Sequence, residues 1–147
     1  MEQSIFTYKE NYTVRSYETD FNSCATIQTI VNYLQNSGFN HALALRKAGG
    51  LSPEPAVAYF LTRQKVRVMR YPKWQENLTL VTWLDTSIEK YAVREFEILD
   101  KDGNIIICAT NSALFYNLDE KKVMPASEQM KRIPAPVRGR ALDDPFD

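Results

Sequence analysis

The sequence predicts an α+β fold in which one long helix packs against a single antiparallel sheet. Between about residues 25 and 48, apolar residues recur at spacings of three and four, as they do on one face of a helix. Beyond that segment, strand-like alternation dominates the chain as far as residue 118. One strand, one long helix and then a run of strands is typical of domains in which the helix covers one sheet face.

The first two elements are a strand and the helix. Thr7–Thr19 is predicted to be the strand, because its polar and apolar side chains alternate. Ser23 is the predicted N-cap of the helix, Gly49-Gly50 is predicted to end it, and Leu51–Ala56 is predicted to be a proline-bearing loop. The apolar helix stripe consists of Ile27, Ile30, Val31, Leu34, Gly38, Ala42 and Leu45.

Four further strands complete the predicted sheet. Pro72 closes the first of them, and Asp102-Gly103 is a hairpin turn between the last two. The four strands are Val57–Tyr71, Asn77–Ser87, Tyr91–Leu99 and Asn104–Leu118. We therefore expect a single domain over residues 1–147, with a core at about 6–118 and a loop-like tail at 119–147. Such a sheet leaves edges and one uncovered face, which favours homo-oligomerisation.

Composition limits the classes of function. The 147 residues are 44% hydrophobic and 24% charged, which is ordinary for a globular protein. Equal numbers of basic and acidic residues, 18 of each, give no global charge that would attract nucleic acid or a membrane surface. Cys24 and Cys108 fit no metal motif, and the single histidine argues against a metal site. Two reduced thiols suit a cytoplasmic protein. We expect neither a metal nor an organic cofactor.

Asp20, Asn22 and Cys24 are the candidate catalytic residues. They stand two apart in an extended segment, so their side chains can face one pocket. A helix starts directly after them, and its first N–H groups lack intrahelical acceptors. Asp20 would act as nucleophile or general base on an acyl carbonyl, and Asn22 would orient water or substrate. Three N–H groups would stabilise the oxyanion: those of Ala25, Thr26 and Ile27.

A structural interpretation of Asp20 and Asn22 competes with this one. Both would cap the turn before the helix, and on the residues alone this interpretation is favoured. No Asp or Glu occurs from residue 21 to residue 53, so Asp20 is the nearest acid, with Glu18 and Asp85 as distant alternatives. Cys24 remains a secondary candidate. It cannot pair with His41 in one subunit, because 17 positions of helix separate them by about 25 Å.

Several short motifs, in this order and spacing, resemble the acyl-ACP thioesterases, and most of all the first of the two hotdog halves of the plant and bacterial enzymes. The resemblance covers roughly residues 6–140. The motifs are Val14–Glu18, Ala25–Ile30, Asn32–Gln35, Asn40-His41, Arg70–Trp74, Thr82-Trp83 and Pro134–Gly139.

This resemblance implies a single hotdog domain that hydrolyses fatty acyl-ACP or acyl-CoA to a free acid and a thiol, as in fatty acid biosynthesis. The double-hotdog enzymes carry a catalytic DxNxH motif in their second half. The 147 residues correspond to one hotdog only, without that second half. Asp20 and Asn22 match that motif at the equivalent place of the one hotdog, whereas Cys24 occupies the His position. A homodimer or homotetramer with sites between subunits would reconcile these facts. The alternative is a non-catalytic acyl-binding domain or specificity subunit, and a third possibility is a structural module.

Further substrate contacts follow from the same resemblance. Leu34 and Gly38 are first of all core residues of the helix, but the same face would line the acyl tunnel. Arg63, Lys65 and Arg67 lie on one face of a strand, which is either a solvated surface or a docking patch for the phosphates of CoA or for acidic acyl carrier protein.

Overall fold

The computed structural model describes residues 5–49, 56–134 and 138–142. The elements in chain order are β1 (Thr7–Thr13), a 3-10 turn (Ser16–Glu18), α1 (Ile27–Lys47), β2 (Val57–Val68), β3 (Asn77–Asp85), β4 (Ala92–Leu99), β5 (Ile105–Asn117), β6 (Lys122–Met124) and α2 (Ala126–Gln129). The predicted α+β architecture is confirmed, because α1 is the one long helix of the described ranges and it packs on one antiparallel sheet.

The described strands form one sheet in the order β1-β3-β4-β5-β2, and β6 pairs with the far end of β5. All pairings are antiparallel. Their registers place one row of side chains across the whole sheet, facing α1: Tyr8, Thr82, Phe96, Ala109 and Val66. The predictions of β2, β3, β4 and β5 hold to within three residues at each end. Within the described strands, β1 and β2 are the two edges of the sheet.

The first strand is shorter than predicted. β1 ends at Thr13, and the chain then turns through Ser16–Glu18 instead of continuing as a strand to Thr19. The Glu18 carboxylate accepts the Arg15 N–H at 2.9 Å, which closes this turn locally. Val14, next to it, is buried and joins the core.

Thr26 is the N-cap of α1, so the prediction of Ser23 was wrong. The Thr26 hydroxyl accepts the Thr29 N–H at 3.1 Å, which satisfies one of the unpaired donors of the first turn. Ser23 instead takes a positive φ of 60° in the loop before the helix. At the other end, Gly49 has φ 77° and its N–H reaches the Arg46 carbonyl, as predicted for a glycine that terminates a helix. Gly50 and residues 51–55 of the predicted loop lie outside the described residues.

The tail after β5 is not simply a loop. Residues 122–124 pair with β5 and residues 126–129 form a short helix, which corrects the predicted loop for that part. The segment 138–142 crosses the sheet face opposite to α1. The Arg138 guanidinium stacks on the Trp83 ring and pairs with Glu97, and the Ala141 N–H donates to the Glu95 carboxylate at 3.0 Å.

Two apolar clusters hold α1 to the sheet. The larger lies under the first half of α1, and it includes Ile30, Leu34, Leu80, Phe96, Ile98 and Ile107. The second lies under the end of α1, and it includes Leu45, Leu84, Phe115, Met124 and Met130. Because residues of the tail complete the second cluster, the tail contributes to the hydrophobic core.

Ile98→Ala is expected to lower the free energy of unfolding by about 2–5 kcal/mol, because it removes buried methyl and methylene groups from the core and leaves a cavity. The matched control is Ile105→Ala, since Ile105 is 44% exposed and its truncation should cost well under half of that. Urea unfolding of the two variants measures the difference. Equal losses at both positions would contradict this description of the core.

Candidate active site

The loop before α1 is held in a fixed shape by backbone hydrogen bonds. The Asp20 N–H donates to the Cys24 carbonyl at 2.9 Å, and the Ser23 N–H donates to the Asp20 carbonyl at 3.0 Å. Short bridges tie Thr19 to Ala25 and Cys24 to Lys73. The loop therefore presents its side chains from a defined backbone.

The Asp20 carboxylate itself helps to form this loop. Its Oδ1 accepts the N–H of Asn22 at 2.9 Å and that of Cys24 at 3.2 Å. This is the turn-forming role that the structural interpretation predicts for an Asx residue. Oδ2 accepts no hydrogen bond within the described part of the chain, and the side chain is exposed. One carboxylate oxygen therefore shapes the loop, while the other can meet a ligand.

All six residues predicted for catalysis border one open depression of about 390 Å³. Its wall consists of Asp20, Asn22, Cys24, Ala25, Thr26 and Ile27, together with Tyr71. Tyr71 was not predicted, because it comes from the segment after β2 and reaches the loop only in the folded chain. Cys24 is half-buried, and its Sγ lies 3.7 Å from the Asn22 carbonyl oxygen.

The prediction of three oxyanion donors is wrong for two of them. The Ala25 N–H donates to the Pro72 carbonyl at 2.8 Å, and the Thr26 N–H donates to the Glu18 carbonyl at 3.2 Å. The helix starts at Ile27 and not at about residue 25, so Ala25 and Thr26 lie in the loop before it. Their N–H groups already have backbone acceptors there. The N–H groups of Ile27 and Gln28 belong to the first turn, where intrahelical acceptors are lacking.

The two distant acids have structural partners of their own. The Glu18 carboxylate accepts the Tyr33 hydroxyl at 2.9 Å, and burial together with this bond raises the pKa of Tyr33. Asp85 is buried and accepts the Ser87 N–H at 2.9 Å. Neither residue borders the depression.

A second cavity, of about 230 Å³, lies between α1 and the sheet, and we call it the helix-side cavity. Leu34 and Gly38 both line it, as do Ala42, Leu84 and Phe115, so its wall is largely apolar. The depression ends at Ile27 and this cavity begins at Val31, one turn further along the same helix. Gly38 lies close to sheet residues, because a Cβ there would be in van der Waals contact with Arg94 Cδ at 3.4 Å and with the Phe96 ring at 3.7 Å.

A buried polar cluster interrupts this apolar wall. Arg94 Nη1 lies 2.7 Å from His41 Nδ1 and donates to the Thr82 hydroxyl at 3.2 Å. His41 Nε2 lies 2.8 Å from the Ile5 carbonyl oxygen. Because the Ile5 oxygen can only accept and the guanidinium can only donate, His41 is neutral with its proton on Nε2. Burial and the neighbouring Arg94 charge lower the pKa of His41 to about 4.

Sequence reasoning missed Arg94, although a signal was available. Alternation along β4 places it on the same face as Ala92, Phe96 and Ile98. A lone charge on an otherwise apolar strand face was therefore readable from the sequence. The contacts with His41 and Thr82 were not readable, because they join three different elements.

The basic row Arg63, Lys65 and Arg67 lies apart from both cavities. Gln64 lines the helix-side cavity and Val66 packs on the core, so the alternating basic residues project from the opposite sheet face. Their register partners there are Ser112, Thr110 and Cys108. These three residues therefore do not line the cavity between α1 and the sheet. A role in docking the phosphates of CoA or an acidic acyl carrier protein stays a prediction, as does the alternative of a solvated strand face.

Comparisons with known proteins identify the family. A family model described as the acyl-ACP thioesterase N-terminal domain matches residues 6–133. The chain therefore belongs to the acyl-ACP thioesterase family, which confirms the predicted resemblance.

No helix of the described residues is long and apolar enough to cross a membrane.

Curated relatives agree with this family. The chloroplastic palmitoyl-acyl carrier protein thioesterase of Gossypium hirsutum is 28% identical over 151 residues, which cover 98% of this chain and 34% of the relative. The chloroplastic oleoyl-acyl carrier protein thioesterase of Coriandrum sativum is also 28% identical, over 85% of this chain and 36% of the relative. The chain thus spans about a third of the length of the curated relatives it matches.

Solved structures confirm the hotdog fold. The 12:0-ACP thioesterase from Umbellularia californica superposes with a TM-score of 0.79 at 21% identity, over 95% of this chain and 54% of that one. The probable thioesterase YbaW from Escherichia coli superposes with a TM-score of 0.69 at 14% identity, over 85% of this chain and 97% of that one.

The pKa of His41 predicts a pH dependence of stability. The folded protein should keep His41 neutral down to about pH 4, whereas the unfolded chain protonates it near 6.5. The unfolded state therefore binds more protons in this window, and the His41 contribution to the free energy of unfolding should fall by roughly 3 kcal/mol as the pH drops through it. NMR titration of the single histidine, with urea unfolding at each pH, measures both effects. A midpoint near 6.5 would contradict the buried contact with Arg94.

Proposed function

We propose that this protein hydrolyses fatty acyl thioesters of acyl carrier protein or coenzyme A to a free acid and a thiol. The observation that carries the proposal is the position of two cavities along α1. A depression with a carboxylate and an amide lies at the start of the helix, beside its first-turn N–H groups, and the next turns line a largely apolar cavity. Membership of the acyl-ACP thioesterase family supports the same reaction.

In this mechanism, the thioester carbonyl oxygen points toward the first-turn N–H groups of Ile27 and Gln28. Asp20 removes a proton from a water molecule, which attacks the carbonyl carbon, while Asn22 orients the water or the thioester. Collapse of the tetrahedral intermediate breaks the C–S bond, the acid is released, and the thiolate takes the proton. Direct attack by the Asp20 carboxylate, followed by hydrolysis of the anhydride, is the variant of this route.

A second candidate function is acyl binding without catalysis, as a specificity domain. Two observations favour it: Cys24 stands where the resembled motif has histidine, and the family match is to the N-terminal domain. In that case the helix-side cavity holds an acyl chain, and the only role of Asp20 is to form the turn before α1. The two candidates differ in whether Asp20 is needed for turnover.

We further propose a homodimer or homotetramer, in which the free edge of β2 meets a second copy. β2 is an edge of the sheet that the described strands form, and it exposes Tyr59, Phe60 and Leu61. Tyr59 and Leu61 line the helix-side cavity together with the exposed helix residues Phe39 and Leu43. An exposed edge strand with apolar side chains is a template for pairing with another strand. We place the protein in the cytoplasm because its two cysteines are free thiols, whereas the plant relatives are named as chloroplastic.

Asp20→Asn is expected to abolish turnover of acyl-ACP and acyl-CoA while the protein still folds, because the amide Oδ1 can keep both turn hydrogen bonds but cannot take up a proton. Steady-state hydrolysis assays across acyl chain lengths measure the effect. We expect at least a hundredfold loss of kcat/KM, the lower range for removal of a general base.

Asp100→Asn is the matched control for this experiment. Asp100 also forms a turn, because its Oδ1 accepts the N–H groups of Asp102 at 3.0 Å and Asn104 at 2.9 Å. This control should retain full activity. Unchanged kcat/KM in Asp20→Asn would remove Asp20 from the mechanism. Bound acyl ligand without any turnover in the wild type would favour the specificity domain.

Phe60→Glu is expected to shift the protein toward the monomer, because it introduces charge into the proposed pairing edge. Sedimentation velocity at several protein concentrations measures the change. Val123→Glu is the control, since Val123 is similarly exposed but lies in β6, on the other side of β5 from β2. A monomeric wild type would overturn the proposed assembly.

A further inference from the structure

Arg94 is a cation that is buried between α1 and the sheet without a counter-ion among the described residues. Its residue is only 6% exposed. No carboxylate of the described residues forms an ion pair with it, and its pKa, lowered by burial to about 10, keeps it charged at neutral pH. A buried charge without a partner is costly, so the fold retains it against its own stability.

Only one nitrogen of the guanidinium is occupied by protein. Nη1 contacts His41 and Thr82, and both partners are neutral. Nε and Nη2 donate to no residue in the described ranges. They are also not sealed in the core, because Arg94 lines the helix-side cavity. Two donor nitrogens in a planar fork therefore border the cavity, and this is the geometry that a carboxylate accepts in a bidentate pair.

The surroundings of Arg94 add a second donor. Asn111 stands beside Arg94 in the sheet register, is buried, and also lines the cavity. Its Oδ1 accepts from Gln64 Nε2 at 2.7 Å, and its amide nitrogen donates to no side chain or carbonyl of the described residues. The rest of the wall is largely apolar. The cavity thus combines an apolar passage with one local cluster of donors.

We propose that the helix-side cavity takes an acyl chain with a carboxylate at its far end, and that Arg94 binds this carboxylate. The substrate class is then the monothioester of a long-chain dicarboxylic acid. This inference rests on the proposed function and adds the substrate's distal group to it. Arg94 acts as a specificity-determining residue, because it contacts the end of the chain that does not react.

The length of the helix sets the length of such a chain. Ile27 borders the depression and Gly38 touches Arg94, and eleven residues of helix separate them by roughly 16 Å. An extended chain of medium to long size spans this distance. Shorter dicarboxylic thioesters should gain nothing from Arg94, because their carboxylate would remain in the apolar passage.

The test compares matched substrates on the purified chain. Dodecanedioyl-CoA is expected to show at least a tenfold higher kcat/KM than lauroyl-CoA, with the difference mainly in KM, whereas octanedioyl-CoA should show no advantage over octanoyl-CoA. Titration calorimetry with the free acids, dodecanedioate and laurate, gives a readout that does not depend on hydrolysis.

Arg94→Met should reduce the ratio of kcat/KM for dodecanedioyl-CoA to kcat/KM for lauroyl-CoA to about one. Methionine is a long side chain like arginine but carries no charge. Arg132→Met is the matched control. Arg132 is exposed, donates to the Gly49 carbonyl and does not line the cavity, so the ratio should persist in that variant. If Arg94→Met does not fold, the comparison of matched substrates on the wild type decides alone.

The outcomes separate the two proposals. Hydrolysis of lauroyl-CoA without preference for the dicarboxylic substrate overturns the role of Arg94 and leaves the hydrolase. Tight binding of dodecanedioate without any hydrolysis supports the role of Arg94 and overturns the hydrolase. Equal binding of laurate and dodecanedioate overturns the role of Arg94 whatever the activity.

Discussion

The packing of α1 across one face of the sheet is the constraint on which the rest of the molecule depends. Ile30, Leu34 and Leu45 are fully buried, and they anchor the helix in both apolar clusters. This packing places the helix start at the loop of Asp20 and extends its next turns over the cavity. Loss of this packing would therefore remove the core, the depression and the helix-side cavity together.

Two parts of the candidate site serve structure and chemistry at once. One oxygen of Asp20 closes a turn while the other stays open to a ligand, so the turn fixes the carboxylate beside the helix start. Gly38 costs the middle of a helix some stability and lies against Arg94, where a Cβ would be in van der Waals contact with the side chain. Asp20 and Arg94 thus place a polar group at each of the two cavities.

Local patterns were enough to predict the elements, but their ends depended on partners elsewhere. The helix period and the strand alternation placed α1 and β2 to β5 to within a few residues, because each pattern repeats many times. Ser23 and Thr26 are both good N-caps by type, and only the hydrogen bonds to Glu18 and Pro72 decide between them. The tail was predicted as a loop because it contains Pro125, Pro134, Pro136 and Gly139. Two of its residues, Met124 and Met130, are nevertheless buried against residues distant in sequence.

By itself, the sequence determined the architecture, the family and the six residues around one depression, because periodicity and closely spaced motifs act over short stretches of chain. Tertiary structure alone decided that the N–H groups of Ala25 and Thr26 are already occupied and that Tyr71 joins the depression. It placed the basic residues of β2 on the opposite sheet face from the helix-side cavity: Arg63, Lys65 and Arg67. It also decided that Arg94 meets His41 and Thr82 in the core. These facts depend on how strands and helix are juxtaposed across many residues, and no local pattern encodes that juxtaposition.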